Sequence, residues 1–415
     1  MAFSSSQYTS SLTSSKAFSY RDCFEKKLEN LHHEKRYRVF RPLEKSVTHF
    51  PKAVFHASHK KEVTLWSTND YLGLGTRENA IQALCEQAKQ SGVGSGGTRN
   101  ISGTHPLHLE LEAVLAQLHE KESALLFNSG YAANTWTLYT LGRALPQCMI
   151  FSDASNHASM IMGIRASGAE KYIFKHNDRE HLHTLLKQAD PKRPKIIAVE
   201  SVYSMDGDFA PLEDFCEMAK TYNALLYVDE VHAVGLYGET GAGLAEAKGL
   251  NHDISLIQGT LAKGFGTLGG YIAGDGVMID VIRSCAPGFI FSTTLPSPLL
   301  AATLSNIRYS IKTPQIRQDF WKTVAATRKA LQQKNIAFEH TPSHILLLVI
   351  GDARRCEAMA MKLLNEFNIY IQPINYPTVP KGSERFRMTP TRHHTPQMIA
   401  DLSEALETVL RDKSL

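Results

Sequence analysis

Short apolar runs alternate along most of this chain with longer stretches of helical periodicity. Lys195-Ile-Ile-Ala-Val-Glu200, Ala224-Leu-Leu-Tyr-Val-Asp229, Ile254-Ser-Leu-Ile-Gln258 and Gly269-Gly-Tyr-Ile-Ala273 are apolar without a clean two-residue alternation. Strands covered on both faces by helices read this way. Helical stretches at 78–90, 107–120 and 212–220 lie between or before them. The order predicts an α/β layered domain. From about residue 310 the pattern changes. A long helix at 317–334 is followed by the strand-like Ile345-Leu-Leu-Leu-Val-Ile350, a helix near 356–367, a strand near Tyr370 and a last helix at 396–410. That is the pattern of a smaller α+β domain. Near the start, residues 21–50 are expected to be helical, with Phe24, Leu28 and Leu31 on one face and basic residues around Arg36 and Arg38. The organisation expected is a tail at 1–20, an N-terminal helix and strand segment at 21–65, a main domain at 66–305 and the α+β domain at 306–415.

Composition narrows the classes. With 415 residues, 43% of them hydrophobic, the chain can build a large core. A net charge of +4 without a basic run gives no reason to expect nucleic acid. The longest apolar runs fall far short of the roughly 20 residues of a membrane span, so no membrane partner is expected. Six cysteines without CxxC spacing read as reduced thiols in a cytosolic compartment. The Ser- and Thr-rich first twenty residues carry only Lys16 as a basic residue. They match neither a secretory signal nor an Arg-rich amphipathic presequence.

The chemistry concentrates in a few segments. In Gln258-Gly-Thr-Leu-Ala-Lys263-Gly-Phe-Gly-Thr-Leu-Gly-Gly270 one lysine sits among small and apolar residues. Desolvation disfavours its charged form, and a neutral lysine can form a Schiff base with an aldehyde. Upstream, the apolar run 224–229 ends in Asp229, the kind of buried acid that keeps a pyridine nitrogen protonated in pyridoxal phosphate (PLP) enzymes. A structural lysine and an acid at a strand end are the competing reading of each alone. Gly92-Val-Gly94-Ser-Gly-Gly97 fits G-x-G-x-x-G, but a helix precedes it and none opens directly after it. A dinucleotide fold needs the reverse, so the run is read as a tight loop. Asp229-Glu-Val-His232 lacks the phosphate loop that a nucleic-acid-dependent ATPase requires. In Asn128-Ser-Gly130-Tyr131-Ala-Ala-Asn134 a turn of small residues opens a helix and can offer N–H groups to a phosphate. His157 stands among small residues in Ser155-Asn-His157-Ala-Ser-Met160 and becomes a ring-stacking or proton-relay candidate only beside PLP. His181, His183, His393 and His394 have no carboxylate or cysteine at metal-binding spacing. They are expected at the surface, with no metal site.

Taken in order, these segments resemble the α-oxoamine synthases, PLP enzymes of fold type I, and within them the aminolevulinate-forming branch. The resemblance rests on Ser67-Thr-Asn-Asp-Tyr-Leu-Gly73, Gly94-Ser-Gly-Gly-Thr-Arg-Asn-Ile-Ser-Gly-Thr104, Glu200-Ser-Val-Tyr-Ser-Met-Asp-Gly-Asp208, Asp229-Glu-Val-His-Ala-Val-Gly235, Gly259-Thr-Leu-Ala-Lys263, Ala286-Pro-Gly-Phe-Ile-Phe-Ser-Thr293 and Gln372-Pro-Ile-Asn-Tyr-Pro-Thr-Val-Pro380. It implies a mostly parallel seven-stranded sheet in the main domain. It implies PLP as cofactor, and glycine and succinyl-CoA condensed to 5-aminolevulinate, CoA and CO2 in a homodimer with shared active sites. One alternative is another α-oxoamine synthase with a different acyl-CoA or amino acid, and another is a catalytically silent family member acting as a structural subunit, against which the intact Lys263, Asp229 and His157 speak.

Residue by residue, the resemblance implies that Lys263 bonds PLP and then acts as base on glycine, that Asp229 pairs with the ring nitrogen, and that His157 stacks on the ring. His232 and Ser204 would reach the phenolic oxygen side. Thr260, Ser129, Gly130 and Tyr131 would surround phosphate and ring, and Ser292 and Thr293 would reach the phosphate from the partner subunit. Asn69 and Arg387 would hold the glycine carboxylate. Arg38, Thr98, Asn100, Ser152, Lys171 and Thr378 match acyl-CoA positions, with Arg38 on the terminal carboxylate. Departures from the family pattern include Thr391-Arg-His-His, His105-Pro-Leu-His108 and the Ser-rich tail. No Cys-Pro dipeptide of the haem-responsive kind occurs.

Overall fold

The structure, a computed structural model, describes residues 18–34, 36–56, 59–412 and 414, so most of the Ser-rich tail lies outside the described residues. Contacts divide the chain into one unit up to Phe40 and a second from Arg41 onward. The first holds the helix Tyr20–His33, whose N-cap Ser19 accepts a hydrogen bond from the Asp22 amide at 3.2 Å. This helix stops well short of residue 50. In the second unit Leu43–Lys45 and Lys52–His56 are antiparallel strands, and Lys60–Leu65 pairs next to them. Pro42 and Pro51 cannot sit inside a helix, and the apolar periodicity ends at Leu31.

Seven strands form the central sheet. Their order is Ser123–Phe127, Gly270–Gly274, Leu256–Thr260, Ala224–Asp229, Lys195–Glu200, Met149–Asp153 and Glu170–Phe174. Gly270–Gly274 alone runs against the rest, antiparallel to both its neighbours. The other six therefore deliver their carboxyl ends to one edge. Successive side chains feed opposite faces. Ile197, Val199, Leu226 and Val228 join one core cluster, while Ile196, Ala198 and Tyr227 join another. Both faces are covered, which explains the unbroken apolar runs.

A three-stranded sheet of Leu346–Val349, Arg385–Met388 and Pro373–Ile374 carries the C-terminal core with helices Ala353–Phe367 and Pro396–Arg411. Phe386 and Met388 face that core together with Leu346, Leu348, Leu363 and Leu402. Alternation turns Arg385 and Arg387 to the other face. His394 is a correction to the expected surface position. It is buried, stacks on Trp66 with ring centroids 3.8 Å apart, and its Nε2 lies 3.0 Å from the Leu65 carbonyl oxygen. Burial pushes its imidazole down to about 3. His393 is half-buried against Phe50. Among the described residues no helix is long and apolar enough to cross a membrane, and no group of three His, Cys, Asp or Glu side chains is placed to hold a metal ion.

Candidate active site

The candidate residues converge on the edge where the six codirectional strands end, the usual ligand edge of an open α/β sheet. Ser123–Phe127 leads into the helix Gly130–Ala144, whose N-cap Ser129 accepts from the Ala132 amide at 3.0 Å. A Cβ added at Gly270 would lie 2.4 Å from the Gly130 nitrogen. Only glycine lets the antiparallel strand come so close to the helix start. Thr260 borders Gly130 on another side, its Oγ1 donating to the Gly269 carbonyl at 3.0 Å.

Lys263 lies in the turn after Leu256–Thr260. The turn packs tightly, since a Cβ on Gly264 would meet the Val234 carbonyl oxygen at 2.3 Å. Lys263 Nζ is 2.7 Å from His232 Nε2, and His232 Nδ1 is 2.9 Å from the Tyr71 hydroxyl. Removal from water, reinforced by the Arg387 charge and opposed by Asp229 and Glu200, lowers the lysine to about 7. Burial and the charges of Lys263 and Arg387 hold His232 well below the usual imidazole range, so it is neutral. Arg387 closes the cluster. Its Nε donates to the Ser204 carbonyl at 2.7 Å, and its Nη1 and Nη2 donate to Asn69 Oδ1 and the Tyr71 hydroxyl, each at 3.3 Å.

Asp229 is 4% exposed, and each oxygen meets one neutral donor. Oδ1 accepts from the Val231 amide at 2.8 Å and Oδ2 from Asn134 Nδ2 at 2.6 Å. Asn134 is oriented by the Tyr227 hydroxyl, which donates to its Oδ1 at 2.6 Å. Burial raises the Asp229 carboxyl above its ordinary value, and the two donors together with His157 and Lys263 offset this only in part. His157 Nδ1 is 2.7 Å from Ser159 Oγ, and its backbone N–H donates to Glu200 Oε1 at 2.6 Å. Burial and the neighbouring Asp229 raise Glu200 well above the carboxylate range. Tyr131 stands edge-on to the His157 ring at 6.3 Å.

Lys263, Asp229, His157, His232, Ser204, Asn69 and Arg387 are thus brought together, with Ser129, Gly130, Tyr131 and Thr260 along the same edge. The remaining candidates make other contacts. Thr98 pairs with Thr293 in an isolated bridge, Asn128 Nδ2 donates to the Thr293 carbonyl at 2.6 Å, and Ser292 is half-buried next to it. Thr98 Oγ1 donates to Asn100 Oδ1 at 2.7 Å, joining two of the acyl candidates. Ser152 is buried in its strand and accepts from Asn156 Nδ2 at 2.9 Å. Lys171 and Thr378 are exposed, and Arg38 occupies an exposed position in the N-terminal unit. Sequence reasoning gave no role to Tyr71, Asn134 or Glu200. Tyr71 and Glu200 stand inside segments that carry the resemblance, and Asn134 ends the 128–134 turn in which Ser129, Gly130 and Tyr131 were given roles.

The model of the class I and II aminotransferase family matches residues 61–406. A 5-aminolevulinate synthase of Bradyrhizobium diazoefficiens is 49% identical over 405 residues, spanning 95% of this chain and 99% of its own. Another, from Rhizobium meliloti, is 50% identical and spans 93% of this chain and 96% of its own. A serine palmitoyltransferase from S. paucimobilis, solved with a PLP–myriocin aldimine, aligns with a TM-score of 0.85 at 28% identity, covering 94% of this chain and 97% of that one. By near-full-length identity to these synthases, the chain belongs to the 5-aminolevulinate synthase family, within the class I and II aminotransferases.

Proposed function

We propose that Lys263 anchors PLP in an enzyme that condenses glycine with succinyl-CoA to 5-aminolevulinate, CoA and CO2. The donor set fits the cofactor. Lys263 has an amine that is half neutral near pH 7, ready for an aldehyde. Asp229 is a buried acid whose two hydrogen bonds come only from neutral groups, so a cationic ring N–H is the partner its charge lacks. Ser129, Gly130 and Thr260 border a helix start suited to phosphate. His157 and Tyr131 would pack on the ring, His232 and Ser204 would lie toward the phenolic oxygen, and Ser292 and Thr293 of a second copy would complete the phosphate site in a homodimer. When bound, PLP supplies an electron sink that makes the glycine Cα–H acidic.

The chain's own groups do the rest. Arg387, with Asn69, holds the glycine carboxylate in one plane and so selects which bond at Cα breaks. Lys263 Nζ takes the Cα proton and later returns one, which requires a pKa near operating pH. The buried Lys263 amine, held 2.7 Å from His232 and near the buried Asp229, is the observation that carries the reading, and removal from water lowers it to about 7. His232 stays neutral and can exchange a proton with Nζ across their 2.7 Å contact. Arg38 would pair with the succinyl carboxylate, with Thr98, Asn100, Ser152, Lys171 and Thr378 along the acyl-CoA. Three of the free thiols, Cys23, Cys85 and Cys285, are exposed, which suits a reducing compartment, and we place the enzyme in the cytosol.

The test is mass spectrometry of products formed from glycine and a panel of acyl-CoAs, with kcat/KM for succinyl-CoA and butyryl-CoA in wild type and Arg38→Leu. A wild-type preference for succinyl-CoA that collapses by about 30-fold or more in the variant is expected, because the variant leaves the succinyl carboxylate without its cationic partner. A wild type that already favours acetyl- or butyryl-CoA would transfer the assignment to another α-oxoamine synthase.

A further inference from the structure

One imidazole at the active edge has no role in this chemistry. His176 follows the strand Glu170–Phe174 and lies between two carboxylates from different elements. Its Nδ1 is 2.8 Å from Asp153 Oδ1 and its Nε2 is 3.0 Å from Asp208 Oδ2. Carboxylates only accept, so both ring nitrogens donate and the ring is an imidazolium. Asn177 spans the same gap. Its amide donates to Asp153 Oδ2 at 2.8 Å, and its Nδ2 donates to Asp208 Oδ2 at 2.9 Å and to the Phe209 carbonyl at 3.2 Å. The Tyr203 ring stands edge-on to the imidazole at 4.4 Å. Burial disfavours the charge, yet the hydrogen bonds and charges of Asp153 and Asp208 outweigh it and raise the ring to about 10. Asp206 also faces it, with Arg385 beyond.

Each carboxylate belongs to a turn that carries the candidate site. Asp153 Oδ1 accepts from the Ser155 amide at 2.8 Å, at the start of the turn leading to His157. Asp208 closes the turn 201–209, where the Tyr203 amide donates to the Asp208 carbonyl at 3.1 Å and the Gly207 amide to the Tyr203 carbonyl at 2.8 Å. The outer side of that turn holds two arginines: the Met205 carbonyl accepts from Arg385 Nη1 at 2.8 Å and the Ser204 carbonyl from Arg387 Nε at 2.7 Å. A series of links therefore runs from His176 to Asp208, through the Tyr203–Asp208 backbone hydrogen bond to the adjoining Ser204, and from its carbonyl to Arg387.

We propose that His176, an imidazolium bridging Asp153 and Asp208, is a positioning residue that locks the Ser204 turn and so fixes Arg387 for the carboxylate of the amino-acid substrate. This rests on the reading of Arg387 as the carboxylate holder. Without the central cation Asp153 and Asp208 repel, the turn is released on that side, and the Ser204 carbonyl no longer aims the guanidinium.

Steady-state kinetics of PLP-loaded His176→Gln and Asp208→Asn, with Arg387→Lys as control, test the inference, together with thermal unfolding of each. Asp208 has a 36% exposed side chain, so Asp208→Asn is expected to fold even where His176→Gln does not. The expected result is a glycine KM raised about tenfold or more in the His176 and Asp208 variants, the loss typical of one charge-assisted hydrogen bond. The KM for succinyl-CoA should stay within about twofold and the Asp208→Asn unfolding midpoint near wild type. A raised glycine KM in Arg387→Lys with wild-type values in both other variants overturns the inference alone. Unchanged glycine KM in Arg387→Lys overturns the reading of Arg387 and the inference with it. Parallel losses for both substrates with a lowered Asp208→Asn midpoint mark a purely structural network and also overturn it.

Discussion

The ionisation of Lys263 can be measured without turnover. An exposed lysine with the ordinary value of 10.5 is neutral in only about one molecule in 3,000 at pH 7. Lowered to about 7, half the molecules carry a free amine, a gain of about 1,500-fold in reactive species. Enzyme stripped of cofactor and mixed rapidly with PLP should therefore capture it covalently at a rate that climbs with pH and levels off above a midpoint near 7. Desolvation is the main cause and the Arg387 charge the next, so Arg387→Leu should shift the midpoint upward. Asp229 acts the other way, and Asp229→Asn should shift it downward. Absorbance of the captured cofactor, checked by borohydride trapping and peptide mass spectrometry at Lys263, gives the curve. A wild-type midpoint above pH 9, or a downward shift in Arg387→Leu, would refute the reasoning.

Asp229→Asn is expected to retain PLP but lose several orders of magnitude in kcat, because an amide cannot hold a ring proton; near-wild-type turnover would assign the ring partner elsewhere. Gly270→Ala places a methyl 2.4 Å from the Gly130 nitrogen and should weaken PLP affinity by about tenfold or more, measured by equilibrium dialysis, while leaving the sheet folded. Mixing Lys263→Ala chains with chains altered at both Ser292 and Thr293 should restore partial activity in hybrid dimers; no recovery under proven subunit exchange would argue against shared sites.

The sheet was legible because its strands are apolar on both faces, and Lys195–Glu200 and Ala224–Asp229 fall where the runs predict them. Direction was not legible: Gly269-Gly-Tyr-Ile-Ala273 reads like its parallel neighbours, yet that strand is the antiparallel one. An apolar run records burial, not orientation. The helix expected over 21–50 ends at His33, because an apolar stripe spanning two turns was extended across Pro42. Lys263 stood out since a lysine among glycines and apolar residues needs a reason. Asn134 and Glu200 did not, because a buried polar residue is explained by its partner, and their partners are 95 and 43 residues away in sequence. His394 looked like a surface residue for the same reason: its partners, Trp66 and Leu65, are more than 300 positions earlier.

The distribution of charge at this edge bears directly on what it can catalyse. Burial raises the acids Asp229 and Glu200 and lowers the bases Lys263, His232 and His157. In water an ordinary carboxyl and an ordinary amine differ by about 6 units, so a proton would stay on the amine by roughly 8 kcal/mol. Desolvation shrinks that gap from both ends, because it penalises each charged form. Protons then become movable between neighbours at small cost, as a lysine that must act first as base and then as acid requires. The arrangement is also unstable toward a cation: a protonated ring arriving at Asp229 would lower the carboxyl and hold it ionised. Cofactor binding and Asp229 ionisation are then one linked equilibrium, with affinity rising as pH rises through the Asp229 titration and falling below it. That linkage separates a site awaiting a pyridinium from a buried acid serving only the fold, whose ionisation would leave cofactor affinity unmoved.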